Sequence, residues 1–480
     1  GGLRLHGVGR GGPTAAERQR IGGGLGVIMG LYASLVSSAN TLRVYNQLFA
    51  TAQNNINNSS TPDYATQTMT TVASPFQPAQ GLTGGVTAGA LQSSRDLFAE
   101  QDVRSQNQAW GSADQQTSDL QRIEPLFDVT DANGLSGVMN QFFSDASAWS
   151  LSPNDTVARQ SVINDANNVA AQFNQAGNGL ANEASTLAQE TGSTLQTINS
   201  LAAQIEQLNT AIVQSGSNKT DPGIDAAMQS ALENLSEYVN FTTMPQSNGT
   251  VTVLAGGQTP LVIGGNVYRL SSGNANQQTA IFNSYGQDVT GQIQSGRLGA
   301  LLNTANALLP SYTSQMDQLA SGFAQAVNGV LANGLDANGK AGAALFSFNA
   351  AHPAQTIGVT AITPDQLAAA SASAPGGNGN ALALAALADN SSELNGMNFT
   401  GYYGQLASQV GEAIQNATNA QQTGSDLLAQ ARTLRNNISG VSLDAQATNL
   451  IELQQGYDAN AKLVTVLDGL TQTTIDMLNT

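Results

Sequence analysis

The chain has 480 residues, of which 10% are charged, and a formal net charge of −17 at pH 7. Nucleic acids and anionic membranes attract clustered Lys and Arg, so this acidic composition argues against both as partners. The chain has no cysteine and only two histidines, His6 and His352, which leaves no thiolate or His-rich metal site. We therefore expect no cofactor, no metal ion and no small-molecule substrate.

Residues 1–28 are rich in glycine and lack the apolar run of a secretory signal. We expect a disordered extension foreign to the natural protein, with the functional chain beginning at Met29. No later stretch is long and apolar enough to span a membrane, so any export would need separate machinery.

A seven-residue repeat of large side chains predicts a helix from Leu31 to about Ser60. This spacing is the pattern of a helix that packs on another helix. Pro62 ends the helix because proline lacks a backbone donor and restricts the residue before it. The predicted N-terminal seam, meaning the stripe through which this helix packs, consists of Leu31, Leu35, Leu42, Tyr45, Phe49 and Ile56.

The segment NNINNSSTPDYATQ, residues 54–67, forms the polar end of this helix. Asn side chains readily bond nearby backbone groups, and tyrosine offers a packed ring with a polar tip. An ordinary helix stop would explain the proline and one or two asparagines, but not the whole run. We predict a structural joint that fixes how the helix leaves for the next domain, formed by Asn54, Asn55, Asn57, Asn58, Pro62 and Tyr64.

The middle of the chain predicts a long-helix rod with a small β portion. We assign residues 61–237, 295–335 and 402–439 to the rod, in which 65–92 is an extended connection and 155–214 the longest helix. Alternating apolar residues around Gly pairs predict β-hairpins over 238–294, with 281–293 part of the same small sheet. Residues 336–401, rich in Ala and Gly, are expected to form a short variable insertion, either a small lobe or a loose segment.

The last helix, predicted over 442–479, repeats the heptad pattern of the first. Residues 29–60 and 440–480 should therefore form one terminal domain in which the two helices pack together. The expected fold class is mainly α with a small β portion: a long coiled-coil-like rod of packed N- and C-terminal helices plus a small β-rich middle region. The predicted C-terminal seam consists of Leu443, Leu450, Leu453, Tyr457, Val464, Leu467 and Leu478.

An energy comparison suggests that these ends are weakly folded alone. Burying roughly six to eight large side chains per helix, at about 1.5–3 kcal/mol each, contributes roughly 10–20 kcal/mol. Ordering about 28 residues costs about 1–2 kcal/mol per residue. Because the ordering cost is larger than this gain, we expect the ends to order fully only when they pack against neighbouring copies.

The heptad helix at the start, the phrase NNINNSSTPDY and the closing helix LDAQATNLIELQQGYDANAKLVTVLDGLTQTTIDML together resemble the axial proteins of the bacterial flagellum, and among them the hook-associated proteins. The segments SGRLGALLN at 295–303 and GLDANGKAGAALF at 334–346 extend the resemblance through the middle, so that it covers residues 29–480. One departure is Asp63, where the family commonly has Gly after the proline. The turn there is expected to be less relaxed.

The resemblance implies an extracellular structural subunit that joins the flagellar hook to the filament. The terminal helices would lie in the inner core of a tube or ring, contacting further copies, the hook protein and the second junction protein, hook-associated protein 3. It also implies secretion without a cleaved signal peptide through the flagellar type III apparatus, with an export chaperone on the C-terminal helix.

Three alternatives are weighed against this interpretation. They are a secreted coiled-coil adhesin, another axial protein of the hook or rod type, and an enzyme. The enzyme is disfavoured because Glu233, Glu237 and Asp317 have the spacing of solvated helix faces. His352 adjoins Pro353 in a low-complexity stretch, where a catalytic triad is not expected.

Overall fold

A computed structural model describes residues 14–77, 82–129, 134–216, 221–391, 394 and 396–479. The chain divides into two compact units. The terminal unit comprises Gly1–Glu100, Ser215–Ser230 and Arg432–Thr480, and the central unit comprises Gln101–Gln214 and Ala231–Ala431. No helix in the described part of the chain is long and apolar enough to cross a membrane.

Helices dominate both units. A 3₁₀ turn at Glu124–Phe127 follows α2, and a π-helical turn at Thr304–Leu308 joins α6 to α7. The helices are α1 (Ala15–Asn57), α2 (Leu97–Ile123), α3 (Leu135–Leu151), α4 (Thr156–Gln214), α5 (Pro222–Tyr238), α6 (Gly296–Asn303), α7 (Leu309–Ala332), α8 (Pro353–Thr356), α9 (Gly379–Ala385), α10 (Phe399–Ser439) and α11 (Leu443–Asn479).

The strands are short and pair antiparallel. They are β1 (Gln67–Ala73), β2 (Phe76–Gln77), β3 (Leu82–Thr83), β4 (Val86–Ser93), β5 (Phe241–Pro245), β6 (Val251–Ala255), β7 (Thr259–Ile263), β8 (Asn266–Val267), β9 (Ser271–Ala275), β10 (Gln278–Phe282), β11 (Gly334–Leu335), β12 (Phe346–Ser347), β13 (Gly358–Val359) and β14 (Ala370–Ser371). Strands β5 to β8 form a four-stranded sheet in chain order. The two-stranded pairs are β1 with β4, β2 with β3, β9 with β10, β11 with β14, and β12 with β13. The predicted class, mainly α with a small β portion, is confirmed.

The core of the central unit is built around a cluster of phenylalanines. The Phe323 ring of α7 lies 5.2 Å from Phe399 and 5.5 Å from Phe142 between centroids, in edge-to-face geometry. Aromatic pairs in this geometry gain energy beyond the area they bury. Phe346, in the stretch expected to be a loose insertion, lies 5.6 Å from the same ring.

Residues 336–401 therefore do not form a loose segment. Leu345, Leu367 and Leu384 are fully buried in the central core. Small residues make this possible, because an added Cβ at Gly342 would lie only 2.1 Å from the Leu331 carbonyl oxygen. The composition that suggested loose packing is in fact what lets this segment approach α7 closely.

Three further local predictions differ from the structure. Helix α1 begins at Ala15 instead of Leu31, so the disordered extension predicted over 1–28 is wrong for 15–28, while residues 1–13 lie outside the described residues. The sequence Thr14-Ala-Ala-Glu17 matches a capping box, and the strong helix formers that follow offset the glycines. The connection at 65–92 contains the antiparallel pair of β1 and β4. Residues 281–293 do not join the four-stranded sheet, since Ile281 belongs to the separate hairpin of β9 and β10.

A polar cluster joins α2 to α4 inside the central unit. Arg122 contacts three carboxylates, at 3.0 Å from Asp119, 2.9 Å from Glu183 and 3.1 Å from Glu190. Asp119 is fully buried, and burial raises the pKa of its carboxyl group to about 6, although hydrogen bonds from Gln115 and the nearby Arg122 charge oppose the rise.

Candidate assembly site

Helices α1 and α11 of the terminal unit pack on each other in opposite directions. Tyr45 lies against Gly456, whereas Asn55, further along α1, bonds Gln446, which comes earlier in α11. Phe49 of α1 and Tyr457 of α11 meet edge to face with ring centroids 6.2 Å apart. The prediction that the first and last helices pack together is confirmed.

Most side chains of the predicted seams are half-buried. A pair of helices shields each seam residue mainly from one direction, so part of each side chain stays in contact with water. Leu453 is buried, and the half-buried members are Leu31, Leu35, Leu42, Tyr45, Phe49, Ile56, Leu450, Tyr457, Val464 and Leu467.

Leu443 does not belong to the seam. It is 53% exposed at the first residue of α11. A strict seven-residue repeat drifts by about 20° per heptad around an α-helix, so a residue two heptads from Tyr457 is rotated away from the partner. The Leu478 side chain lies outside the described residues.

Helix α1 has a second buried face that the heptad pattern did not reveal. It packs on the two-stranded pair of β1 and β4, which we call the ribbon. The Ser37 hydroxyl donates to the Gly84 carbonyl oxygen at 2.6 Å, and Gly85 (φ 116°) leaves no room there for a Cβ. Ser38 and Thr41 are buried on α1.

Asn55 is the centre of the predicted joint. It is 1% exposed, and its Nδ2 donates to the Gln67 carbonyl oxygen at 2.8 Å and to Gln446 Oε1 at 3.3 Å. Its Oδ1 accepts from the Gln67 amide at 2.9 Å and from the Tyr64 hydroxyl at 3.1 Å. One side chain therefore links the end of α1, the start of the ribbon and α11.

The other joint residues lie around this centre. Asn54 Nδ2 donates to the Tyr64 hydroxyl at 3.0 Å, and burial raises the pKa of that hydroxyl. Asn58 Nδ2 donates to the Asn54 carbonyl oxygen at 2.9 Å, beside the bond that the same oxygen accepts from the Asn58 amide at 3.0 Å. Asn57 and Pro62 are exposed. The structure thus brings Asn54, Asn55, Asn58 and Tyr64 together and leaves Asn57 outside the network.

Asp63 adopts the left-handed conformation, with φ of 56°. This conformation favours glycine, although Asp tolerates it better than most residues. Here the aspartate has contacts that glycine could not make, since its Oδ1 lies 2.6 Å from Arg435 Nη1. Its carbonyl oxygen also accepts from Arg95 Nη2 at 2.8 Å.

A cluster of five charges surrounds this turn. Arg95 contacts Glu100 and lies 2.8 Å from Asp225 Oδ2. Arg435 reaches Glu100 Oε2 at 3.6 Å in addition to its contact with Asp63. Glu100 and Arg435 are buried. The heptad pattern gives no sign of this cluster, because its members are far apart in the sequence and carry no periodic signal.

The corner between α10 and α11 is tied to both strands of the ribbon at one of its ends, where β1 begins and β4 ends. The Thr66 amide donates to the Ser439 carbonyl oxygen at 2.8 Å, and the Thr66 hydroxyl donates to the Gly440 carbonyl oxygen at 2.7 Å. The Ser94 hydroxyl donates to the same Ser439 oxygen at 3.1 Å. These bonds satisfy carbonyl groups that the end of a helix would otherwise leave open.

Both terminal helices also expose a second apolar stripe. On α11 it consists of Leu463, Val466, Leu470 and Met477, and on α1 of Met29, Tyr32 and Val36. The spacings of three, four and seven residues place each set on one helical face. Val466 is 57% exposed and Met29 70% exposed. Contiguous exposed apolar surface of this kind marks interaction sites in soluble proteins.

Comparisons with known families match the centre and the C-terminal helix. The family described as "Flagellar hook-associated protein FlgK helical domain" matches residues 120–346. The family described as "Flagellar basal body rod FlgEFG protein C-terminal" matches residues 435–477, which include most of α11.

The chain is similar to several proteins named flagellar hook-associated protein 1. That of Bacillus subtilis is 27% identical, over 92% of this chain and 97% of the relative. That of Salmonella typhimurium is 28% identical, over 62% of this chain and 56% of the relative, and that of Escherichia coli is 25% identical, over 66% and 60%. The chain therefore spans less than two thirds of these last two relatives.

A solved structure of the flagellar hook junction protein FlgK from Burkholderia pseudomallei has the same fold. The TM-score is 0.64 at 16% identity, over 71% of this chain and 100% of that chain. At this identity the likeness supports the fold alone.

Proposed function

Because the chain belongs to the flagellar hook-associated protein 1 family, we propose that it is the structural subunit that joins the flagellar hook to the filament. The observation that carries this proposal is the antiparallel pair of α1 and α11, in which each helix still exposes an apolar stripe. A helix pair that has used one face internally and keeps a second apolar face is suited to packing against further helices.

We infer that the stripes of α1 and α11 are covered by the terminal helices of neighbouring copies, which arrange in a ring or tube. Only 10% of the chain is charged, so few charged groups have to lose water when copies pack together. The half-buried seam also supports the expectation that the helix pair gains order on assembly. Protease-resistant terminal helices in a dilute solution of the free chain would contradict that expectation.

The proposed partners are the components on either side of the junction. They are the hook protein, the second junction protein (hook-associated protein 3) and further copies of this chain. We also propose export through the flagellar type III apparatus without a cleaved signal peptide, with an export chaperone bound to α11. The exposed stripe of α11 supports the proposal that a chaperone binds this helix, because an exposed apolar surface would need to be covered before assembly.

We propose that the chain has a structural role and is not an enzyme. The contacts of Glu233, Glu237 and Asp317 support this proposal. Contrary to the expectation of solvated faces, Glu233 is buried, and Glu237 Oε1 lies 3.0 Å from Arg297 Nε. Asp317 Oδ1 accepts from the Ala354 amide at 2.8 Å. These groups are engaged in holding the central unit together. An adhesin or another axial protein is less favoured, because the relatives are all hook-associated proteins 1.

The test is made in cells of the source organism from which this chain has been deleted. We expect them to release filament subunits into the medium instead of polymerising them, and the intact chain to restore filaments. Val466→Asp should be exported yet fail to restore filaments, because a carboxylate on the stripe cannot be buried without a partner.

The matched control is the neighbouring exposed residue on the polar side of α11, in the variant Thr465→Asp. It should restore filaments like the intact chain. Normal filaments in the deletion cells would overturn the proposed function. Restoration by Val466→Asp would overturn the role given to the stripe.

A further inference from the structure

The ribbon of β1 and β4 has two edges without a neighbouring strand in the described part of the chain. Two bonds across the ribbon show which residues face inward: the Ser94 amide donates to the Thr66 carbonyl oxygen, and the Ser74 amide to the Gly85 carbonyl oxygen, both at 2.8 Å. Backbone groups alternate in direction along an antiparallel strand. On β4 the register shifts by one residue between Ala88 and Leu91, so the alternation changes phase there. The outward-facing residues are therefore Gln67, Met69, Thr71 and Ala73 on β1, and Val86, Ala88, Leu91 and Ser93 on β4.

The first outward residue of β1 already has a partner. Gln67 exchanges two hydrogen bonds with the Asn55 side chain, through its amide and its carbonyl oxygen. An amide side chain here takes the place that a neighbouring strand would occupy. Beyond it, the backbone groups of Met69, Thr71 and Ala73 have no hydrogen-bond partner among the described residues.

No charged residue in the sequence of the ribbon protects these edges, although the β4 edge has one register shift between Ala88 and Leu91. Natural edge strands usually carry charged residues, especially Lys, or prolines that discourage pairing with another chain. From Tyr64 to Ser94 the chain contains no Asp, Glu, Lys, Arg or His. Pro75 lies beyond the end of β1 and leaves residues 69–73 open. Thr70, Thr71, Val72 and Ala73 are all exposed.

We propose that the β1 edge of one copy pairs with the β4 edge of the next copy, so that the ribbons of successive copies form one continuous sheet around the assembly. This inference rests on the proposed function and names a contact that it requires. The partner is a second copy because each ribbon carries both halves of the contact. Pairing of β1 with β1 would stop at two copies, whereas pairing of β1 with β4 repeats from copy to copy and can close a ring.

The first test removes one outward donor. In Thr71→Pro the lost amide points away from β4, so the ladder of the ribbon itself is kept, and proline is tolerated at such edge positions. Thr71→Val is the matched control, since it keeps the amide and suits a strand. We expect both variants to show unchanged circular dichroism and equal export. In deletion cells Thr71→Pro should reduce the number of attached filaments at least tenfold, and Thr71→Val should restore them.

The second test uses the absence of cysteine from the chain. Single-cysteine variants Thr71→Cys and Ala88→Cys are produced together in deletion cells, and isolated junctions are treated with a short bifunctional thiol reagent. Each chain has one thiol, so every cross-link joins two copies. The proposal expects mixed dimers of the two variants and few dimers of either variant alone.

The outcomes distinguish the ribbon contact from the junction function. Full restoration by Thr71→Pro, or dimers made only of Thr71→Cys chains, would overturn the ribbon contact and leave the junction function standing. Failure of the intact chain to restore filaments would overturn the junction function. In that case the same cross-linking on a concentrated mixture of the purified variants decides the ribbon contact, and absence of mixed dimers refutes it.

Discussion

Replacing Asn55 by Asp should weaken the terminal unit more than any other isosteric change in the joint. The side chain keeps its size and its Oδ1 acceptor for Gln67 and Tyr64. The change replaces Nδ2, which donates to the Gln67 carbonyl oxygen and to Gln446 Oε1, with a second carboxylate oxygen. Three acceptor oxygens would then face one another in a site that is 1% exposed in the folded chain.

The expected loss follows from the contacts. Leaving a buried polar group without its partner costs about 1–3 kcal/mol, and two acceptors lose their donor here. The carboxylate would also be a buried charge without a compensating partner, and leaving such a charge in a broken buried ion pair typically costs about 3–5 kcal/mol. We therefore expect the free energy of unfolding of the terminal unit to fall by about 3–5 kcal/mol.

The assay is urea unfolding followed by two signals. Trp110 and Trp149 are the tryptophans of the chain and both lie in the central unit, so their fluorescence reports that unit, while circular dichroism also reports α1 and α11. Asn55→Asp should shift the dichroism transition to lower urea and leave the fluorescence transition unchanged. Asn57→Asp is the control, because this exposed neighbour has no part in the network. Equal stability of the two variants would refute the central role of Asn55.

Two further predictions concern the central unit and the helix seam. The pKa of Asp119 is raised from 3.8 to about 6 by burial, so folding favours the protonated form and stability falls as pH rises from about 4 to about 6. The loss from Asp119 is about 3 kcal/mol, at about 1.36 kcal/mol per pKa unit. Burial also raises the pKa values of Asp165 and Asp317 in the same unit, so Asp119→Asn should reduce, not abolish, the pH dependence of urea unfolding measured by tryptophan fluorescence. An unchanged slope would exclude Asp119 as a source. Gly456→Ala should be less stable than Gly469→Ala by about 1–3 kcal/mol in the dichroism transition, because overpacking costs about that much. An added Cβ at 456 would meet the Tyr45 ring, whereas one at 469 meets nothing within 4 Å. Equal stability of the two variants would show that the Tyr45 side chain can move aside without loss of stability.

The sequence predicted the long helices well and the ribbon poorly, for a physical reason. Leu450, Leu453 and Tyr457 recur at helical spacing because one face of α11 meets one partner. The ribbon is exposed on most of both strands, so Thr70, Thr71 and Val72 show no alternation between apolar and polar residues. A strand without a buried face leaves no periodic signal, and only the absence of charge marked the segment as unusual.

The sequence predicted where the joint lies, but not which of its residues form the hydrogen-bond network. Four asparagines in five positions indicated polar contacts. The sequence alone does not distinguish the buried Asn55 from the exposed Asn57. Arg95, Glu100, Asp225 and Arg435 could not be found from spacing, because they meet Asp63 only after the ribbon and the α10–α11 corner have folded back to α1.

The seam and the joint have different roles in the pairing of α1 with α11: the seam stabilises the pair, and the joint fixes its register. A stripe of half-buried apolar residues repeating every seven positions would accept a partner shifted by a whole heptad at little cost, so the seam stabilises the pair without fixing its register. A shift of seven residues along α11 would replace Gln446 by Leu453 opposite Asn55 and leave the Nδ2 donor with one acceptor fewer. Buried asparagines fix the register of coiled coils by this penalty. The bonds from Thr66 to Ser439 and Gly440 oppose the same shift, because they anchor the start of α11 to the ribbon. In the proposed tube, successive copies must present identical surfaces, and the polar joint would supply the fixed register that this requires.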